Sequence, residues 1–243
     1  MTLVDLLLGG LAVVAGGVAA VAGFGIGSIL TPALATVVGT KVAVAAIALP
    51  HAIATALRLW ALRDSIDRQV LRSFGLASAA GGLAGASLHA ITSSPWLSIA
   101  LGALLIAGGV LELTGRAREL RFRGPWAIVA GLASGAFGGL VGNQGGIRSA
   151  ALLRFNLSPR ALVATATASA LLVDAARMPV YVVSSGPDAA RIWPTIAVLS
   201  VGVVIGTLVG APLLRRLPDA LFRRLLSVLL ILLGLSLIAG LGR

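Results

Sequence analysis

Apolar stretches of about 20 residues, parted by short polar turns, run from Leu3 almost to the end of the chain, and each is long enough to cross the hydrocarbon core of a bilayer. Strands of a membrane barrel would alternate polar and apolar residues, which these stretches do not. The pattern predicts an all-α polytopic membrane protein of 8–10 transmembrane segments. Five segments fall in the first half, at 3–22, 26–38, 42–62, 70–90 and 95–114. Five more fall in the second, at 125–142, 145–156, 160–183, 190–214 and 220–241. The second segment of each half is only about a dozen residues long. At about 1.5 Å rise per residue it falls short of the hydrocarbon thickness, so it is a half-helix or one arm of a re-entrant hairpin.

The short segments follow glycine-rich interruptions. The first reads AGFGIGSILTPAL at 22–34 and the second VGNQGGIRSAALL at 141–153. Gly16, Gly23 and Gly27 fall on Gly135, Gly142 and Gly146 at a common offset of 119. KVAVAA at 41–46 has its partner in RALVAT from 160. Later in each half Gly81, Gly85, Gly109 and Gly115 fall on Gly206, Gly210, Gly234 and Gly240 at an offset of 125. The ordered series divides the chain into two repeats, 1–121 and 122–243. GGLAG at 81–85 and GTLVG at 206–210 are GxxxG patterns and read as close helix contacts, not as chemistry.

Charge orients the repeats. Of 243 residues 58% are hydrophobic and 11% charged, with mean hydropathy +1.03 and net charge +11. In a soluble protein that charge would suggest nucleic acid. Here the basic residues gather in short loops, where they set orientation, so no nucleic-acid partner is expected. Arg63, Arg68 and Arg72 place one loop in the cytoplasm, as do Arg116, Arg118, Arg121 and Arg123, and Arg215, Arg216, Arg223 and Arg224. The base-free ITSSPW at 91–96 and SSGPDAA at 184–190 go outside. Corresponding loops then face opposite sides, as inverted repeats require, and both termini are external. MTLVDLLLGG lacks the basic start of a signal peptide and reads as a retained helix. With no cysteine and two histidines, neither a thiolate nor a multi-histidine metal site is expected, and no cofactor. Trp60, Trp96, Trp126 and Trp193 fall near segment ends, as interfacial aromatics do.

Irregular backbone survives at membrane depth only where protein or a water-filled cavity surrounds it. A half-helix that starts at such a break offers free N–H groups to an anion, and paired breaks in repeated halves are a layout for a transporter's substrate site. The alternative, that Gly23, Gly25 and Gly27 only allow close packing, stays open. Candidate ligands of an anion are Gly23, Gly25, Gly27, Ser28 and Thr31 in the first break, and Asn143, Gln144, Gly145, Gly146 and Arg148 in the second. A guanidinium beside freed N–H groups suits a pair of sulfite or sulfonate oxygens; the competing place for Arg148 is the external interface.

Further polar groups fall inside the segments. Asp174 and Arg177 lie three apart on one helical face, and pairing with each other is the simplest expectation. Arg177 is a candidate anion ligand and Asp174 a candidate proton acceptor. His51, after Pro50, either carries a coupling proton and touches the anion or satisfies a carbonyl that Pro50 frees. Arg58 lies nearly at the place equivalent to Arg177 but within snorkelling reach of the cytoplasmic face, and His89 reads as interfacial. Thr165, Thr167 and Ser169 could donate to an anion, although such hydroxyls usually bond back to their own helix.

The glycine-rich turn, the short apolar helix and the following helix begun by KVAVA or RALVAT resemble the TauE/SafE sulfite-exporter family of membrane transporters. GGLVGNQGGIRSAALL is similar to that family's glycine motif, with Asn143 and Gln144 in place of small residues. The resemblance covers nearly the whole chain. It implies a carrier in a bacterial inner membrane for small sulfur-containing anions such as sulfite or sulfonates, or related organic acids. An anion channel built on the same site is the alternative; the oligomeric state, monomer or homodimer, is open. No GxxxxGK[ST] motif supplies ATP-driven transport, and no nucleophile–base pair supports an enzyme.

Overall fold

The computed structural model describes residues 3–115, 126–143, 145–152, 155–210 and 218–240. These are almost wholly helical and contain no strand. Ten helices follow in order: α1 (Leu3–Ala22), α2 (Ile26–Val38), α3 (Thr40–Leu62), α4 (Arg68–Ile91), α5 (Ser94–Leu113), α6 (Trp126–Val141), α7 (Gly145–Leu152), α8 (Pro159–Arg191), α9 (Trp193–Ile205) and α10 (Asp219–Ile238). A π turn at Leu71–Gly75 lies within α4, and a second at Gly206–Gly210 prolongs α9.

The boundaries have local causes. Asp67 caps α4 by accepting from the Val70 N–H at 2.9 Å, and Ser158 caps α8 ahead of Pro159 by accepting from the Ala161 N–H. Pro95 and Pro194 sit in the first turns of α5 and α9, where their missing N–H groups cost nothing. One expected boundary is displaced. SSGPDAA at 184–190 is not a loop: α8 runs on through Pro187 to Arg191, and the chain turns at Ile192. Ala189 and Ala190, good helix formers, and the Asp188–Arg191 ion pair at 3.0 Å carry the helix past the proline. In the short second segment of the second half, the described residues form a helix over Gly145–Leu152.

The packing is reciprocal between the halves. α1 lies along α9, and α4 along α6; α3 packs on α8, and α5 on α10. Glycines make these approaches close. A β-carbon on Gly81 would strike the Leu132 carbonyl, and one on Gly135 the Ser78 carbonyl. Across the other pair, one on Gly206 would strike the Val13 carbonyl and one on Gly16 the Val203 carbonyl. Each contact of the first set maps on one of the second at the offsets seen in the sequence. Both GxxxG patterns are therefore helix-contact faces.

Five helices are long and apolar enough to cross a membrane, and α2, α6, α9 and α10 include shorter apolar stretches. The outward surface carries leucine, valine and isoleucine side chains along α1, α5, α6 and α10, and all four tryptophans stand exposed near helix ends. A surface of that kind is solvated by lipid. The protein is an integral membrane protein.

Candidate functional site

The two interruptions are built alike. α1 ends at Ala22, and Gly23 takes a φ of 79° while its N–H donates to the Ala19 carbonyl at 3.0 Å. α6 ends at Val141, and Gly142 takes a φ of 74° while its N–H donates to the Gly138 carbonyl at 3.1 Å. Only glycine enters this left-handed region without strain, and it closes a helix there. α2 and α7 then restart, and Gly25 offers the first turn of α2 no side-chain cap.

The breaks cross. Gly27 faces the Gly142 carbonyl so closely that a β-carbon would collide with it, and Phe24 packs where a β-carbon of Gly145 would lie. Ser28 Oγ donates to Asn143 Oδ1 at 3.0 Å. A β-carbon on Gly142 would stand 3.5 Å from Thr31 Oγ1 and 3.8 Å from Arg177 Nη1, so all three converge. Gly27, Ser28, Thr31, Asn143 and Gly145 thus come together around one crossing, whereas Gly25 packs back on Val18 of α1 and a β-carbon on Gly23 would meet nothing within 4 Å; Gly146 lies in the first turn of α7. Gln144 lies outside the described residues.

Side chains from α3 and α8 fasten the broken ends. Arg58 Nη1 donates to the Ala19 carbonyl at 2.5 Å, and Arg177 Nη1 donates to the Gly138 carbonyl at 2.5 Å; each spans 39 residues. Tyr181 Oη donates to the Gly139 carbonyl, and His89 Nδ1 to the Leu140 carbonyl at 2.9 Å. Three successive carbonyls at the end of α6 are therefore capped, which meets the need of a helix C-terminus away from water. Two expectations are corrected here. Arg58 does not snorkel outward; its head turns in to the end of α1 and its Nε is buried. His89 is not interfacial; the close approach of α6 to the glycine face of α4 covers it completely, and its ring lies 4.9 Å from that of Tyr181.

Asp174 is the hub of the charged groups. It is fully buried and accepts from Arg177 Nε at 3.0 Å, while Arg177 Nη2 lies 2.7 Å from the same oxygen. The expected pairing is therefore present. The other oxygen lies 2.7 Å from His51 Nδ1, which donates because a carboxylate can only accept. His51 thus serves Asp174, not a carbonyl freed by Pro50.

Arg148 is inside the protein, 3% exposed, and not at an interface. Its Nε and Nη1 are buried without hydrogen-bond partners among the described residues, as are Arg58 Nε, Thr31 Oγ1 and Thr55 Oγ1. Arg177 is thus paired with Asp174, while buried donors of Arg58, Arg148, Thr31 and Thr55 have no acceptor among the described residues. Such a site is complementary to an oxyanion. The hydroxyls of α8 are otherwise engaged. Ser169 donates to the Thr165 carbonyl and Thr167 to the Val163 carbonyl, while Thr165 accepts from the Asp67 N–H. Ser169 faces Gly75 of α4, apart from the crossing.

Sequence reasoning missed Tyr181 and His89 as caps, Arg58 as the residue that holds the end of α1, and Thr55 as a buried hydroxyl three residues before it. TALR at 55–58 against DAAR at 174–177, at the same offset of 119, was a signal for the last two. Nothing local marks Tyr181 or His89 as a cap.

The family model described as Sulfite exporter TauE/SafE matches residues 8–237. No curated protein and no solved structure matches the chain.

Proposed function

Because the chain belongs to the TauE/SafE sulfite exporter family, a family of transporters and not of enzymes, we propose that it carries a small sulfur oxyanion, sulfite or a sulfonate, across the membrane by alternating access. One observation carries this reading: where two broken helices cross, Arg58 and Arg177 hold the ends of α1 and α6, and the buried Arg148 of α7 has two N–H-bearing atoms with no acceptor among the described residues. A buried excess of positive charge is costly alone and is relieved by an anion with several oxygens.

Thr31, Thr55 and Arg148 are buried, so an anion enters when the helices part on one side and leaves when they part on the other. The reciprocal pairing of α1 with α9 and α4 with α6 supports the two halves as inverted repeats that exchange these roles. His51 and Asp174 form the candidate proton path, since the imidazole donates directly to the carboxylate. The arginine-rich loops support a bacterial inner membrane with both termini external.

The test is a thermal-shift screen in detergent with sulfite, sulfoacetate, taurine, thiosulfate and simple carboxylates, joined to counterflow in proteoliposomes. Sulfite or a sulfonate stabilises the protein and exchanges saturably with labelled anion. If none of these anions stabilises it or exchanges, the reading is wrong; unitary currents in place of saturable counterflow would make the protein a channel.

A further inference from the structure

The two arginines that fasten the broken helices stand in corresponding places but in unequal company. Arg177 and Arg58 each donate to a carbonyl 39 residues earlier, at the end of α6 and of α1. Three residues before Arg177 stands Asp174, whose carboxylate takes its Nε and Nη2. Three residues before Arg58 stands Thr55, buried, its hydroxyl without a partner. Both spacings place the two side chains on one helical face. Arg58 Nε, the atom whose counterpart bonds the carboxylate, is buried and has no partner among the described residues. Neither Arg58 nor Arg148 enters a salt bridge among the described residues, and both belong to the same crossing: Arg58 holds the Ala19 carbonyl, a β-carbon on Gly25 would stand 3.7 Å from the Ala19 nitrogen, and the adjacent Phe24 packs on Gly145 at the start of the helix that carries Arg148.

We propose that the transported anion sits where the first half lacks a carboxylate, between Arg58 and Arg148 and against the Thr55 hydroxyl, and so takes for Arg58 the place that Asp174 takes for Arg177. This inference rests on the anion-carrier reading and gives the cargo a position within the site. The chemistry is matched. An oxyanion there accepts from Arg58 Nε, from Arg148 Nε and Nη1 and from Thr55 Oγ1, which are all buried donors without acceptors. It also separates two guanidinium groups that otherwise repel. On this assignment Asp174 is a fixed anion that keeps Arg177 out of the cargo's reach. Recognition then falls mainly to Arg58 and Arg148, with the single hydroxyl of Thr55 between them.

The decisive variant is Thr55→Asp, which builds a carboxylate beside Arg58 in the manner of Asp174. Its melting temperature without anion should equal or exceed that of the wild type, while stabilisation by sodium sulfite and by sulfoacetate is lost and counterflow falls at least tenfold. Arg58→Gln keeps an N–H for the Ala19 carbonyl but removes the guanidinium; it should fold and lose the same anion response, which gives a result even if Thr55→Asp does not fold. Thr55→Val should retain the response at several-fold weaker affinity. A folded Thr55→Asp or Arg58→Gln that binds sulfite like the wild type overturns the assignment. If Arg148→Ala abolishes binding in that case, the carrier reading stands and the anion lies elsewhere in the cluster. A wild type that responds to no anion overturns both.

Discussion

His51 and Asp174, 123 residues apart in the chain, meet through Nδ1 and Oδ2 at 2.7 Å. Their contact joins α3 to α8, the central helices of the two halves. It also completes the shell of Asp174, whose other oxygen serves Arg177. An imidazole and an acid that holds a guanidinium are thus in direct contact, so a proton gained or lost at His51 is felt at Arg177 through one carboxylate.

His51→Gln keeps an N–H donor for Asp174 but removes the ionisable ring. Counterflow of labelled sulfite should persist, while uphill accumulation driven by an imposed pH gradient should vanish. Undiminished accumulation in that variant would remove His51 from coupling.

Asp174→Asn strips the carboxylate from a pair in which Arg177 is 2% exposed. Breaking a buried ion pair from one side costs about 3–5 kcal/mol, because the surviving charge stays buried. The melting temperature should fall steeply, and Asp174→Asn with Arg177→Gln should recover part of the loss. Additive losses in that double variant would show that the two side chains are not coupled.

Arg148→Ala works in the opposite direction. The guanidinium is buried with unpartnered nitrogens, so its removal relieves a desolvation cost. The protein without anion should be as stable as the wild type or more so, yet sulfite should no longer stabilise it or be transported. Wild-type transport rates in that variant would exclude Arg148 from the site.

Two alanine substitutions separate backbone strain from the crossing itself. Gly23→Ala meets no atom within 4 Å but forces a side chain into a φ of 79°, a strain of about 1–2 kcal/mol. Gly27→Ala drives a methyl group into the Gly142 carbonyl, overpacking that costs about 1–3 kcal/mol and pushes the breaks apart. Melting temperatures should fall in both, and counterflow should fail only in Gly27→Ala. Equal transport by the two would mean that contact between the breaks is unimportant.

Much of this architecture was legible in the sequence because bilayers restrict what a chain can do. Apolar length predicted α1, α2 and α5 to within a residue or so, and the offset of 119 predicted that Gly23 and Gly142 would play one role. Local signals failed where tertiary contacts decide. Gly186 and Pro187 read as a turn, but the flanking residues hold α8 helical. His89 read as an end-of-helix residue because its cover comes from α6, 51 residues away. Arg58 was within reach of water by position, and only the bend at Gly23 presents a carbonyl that draws it inward. Arg148 was ambiguous for the same reason: the depth of a break depends on what crosses it.

The fastening of the two breaks is uneven. At the end of α6 three consecutive carbonyls are held by Arg177, Tyr181 and His89, whereas among the described residues Arg58 alone holds the end of α1, at Ala19. Amide protons around residues 20–25 should therefore exchange with deuterium sooner than those around 139–143. The softer joint yields first, which makes the N-terminal elbow the compliant member of the pair and the C-terminal one its anvil.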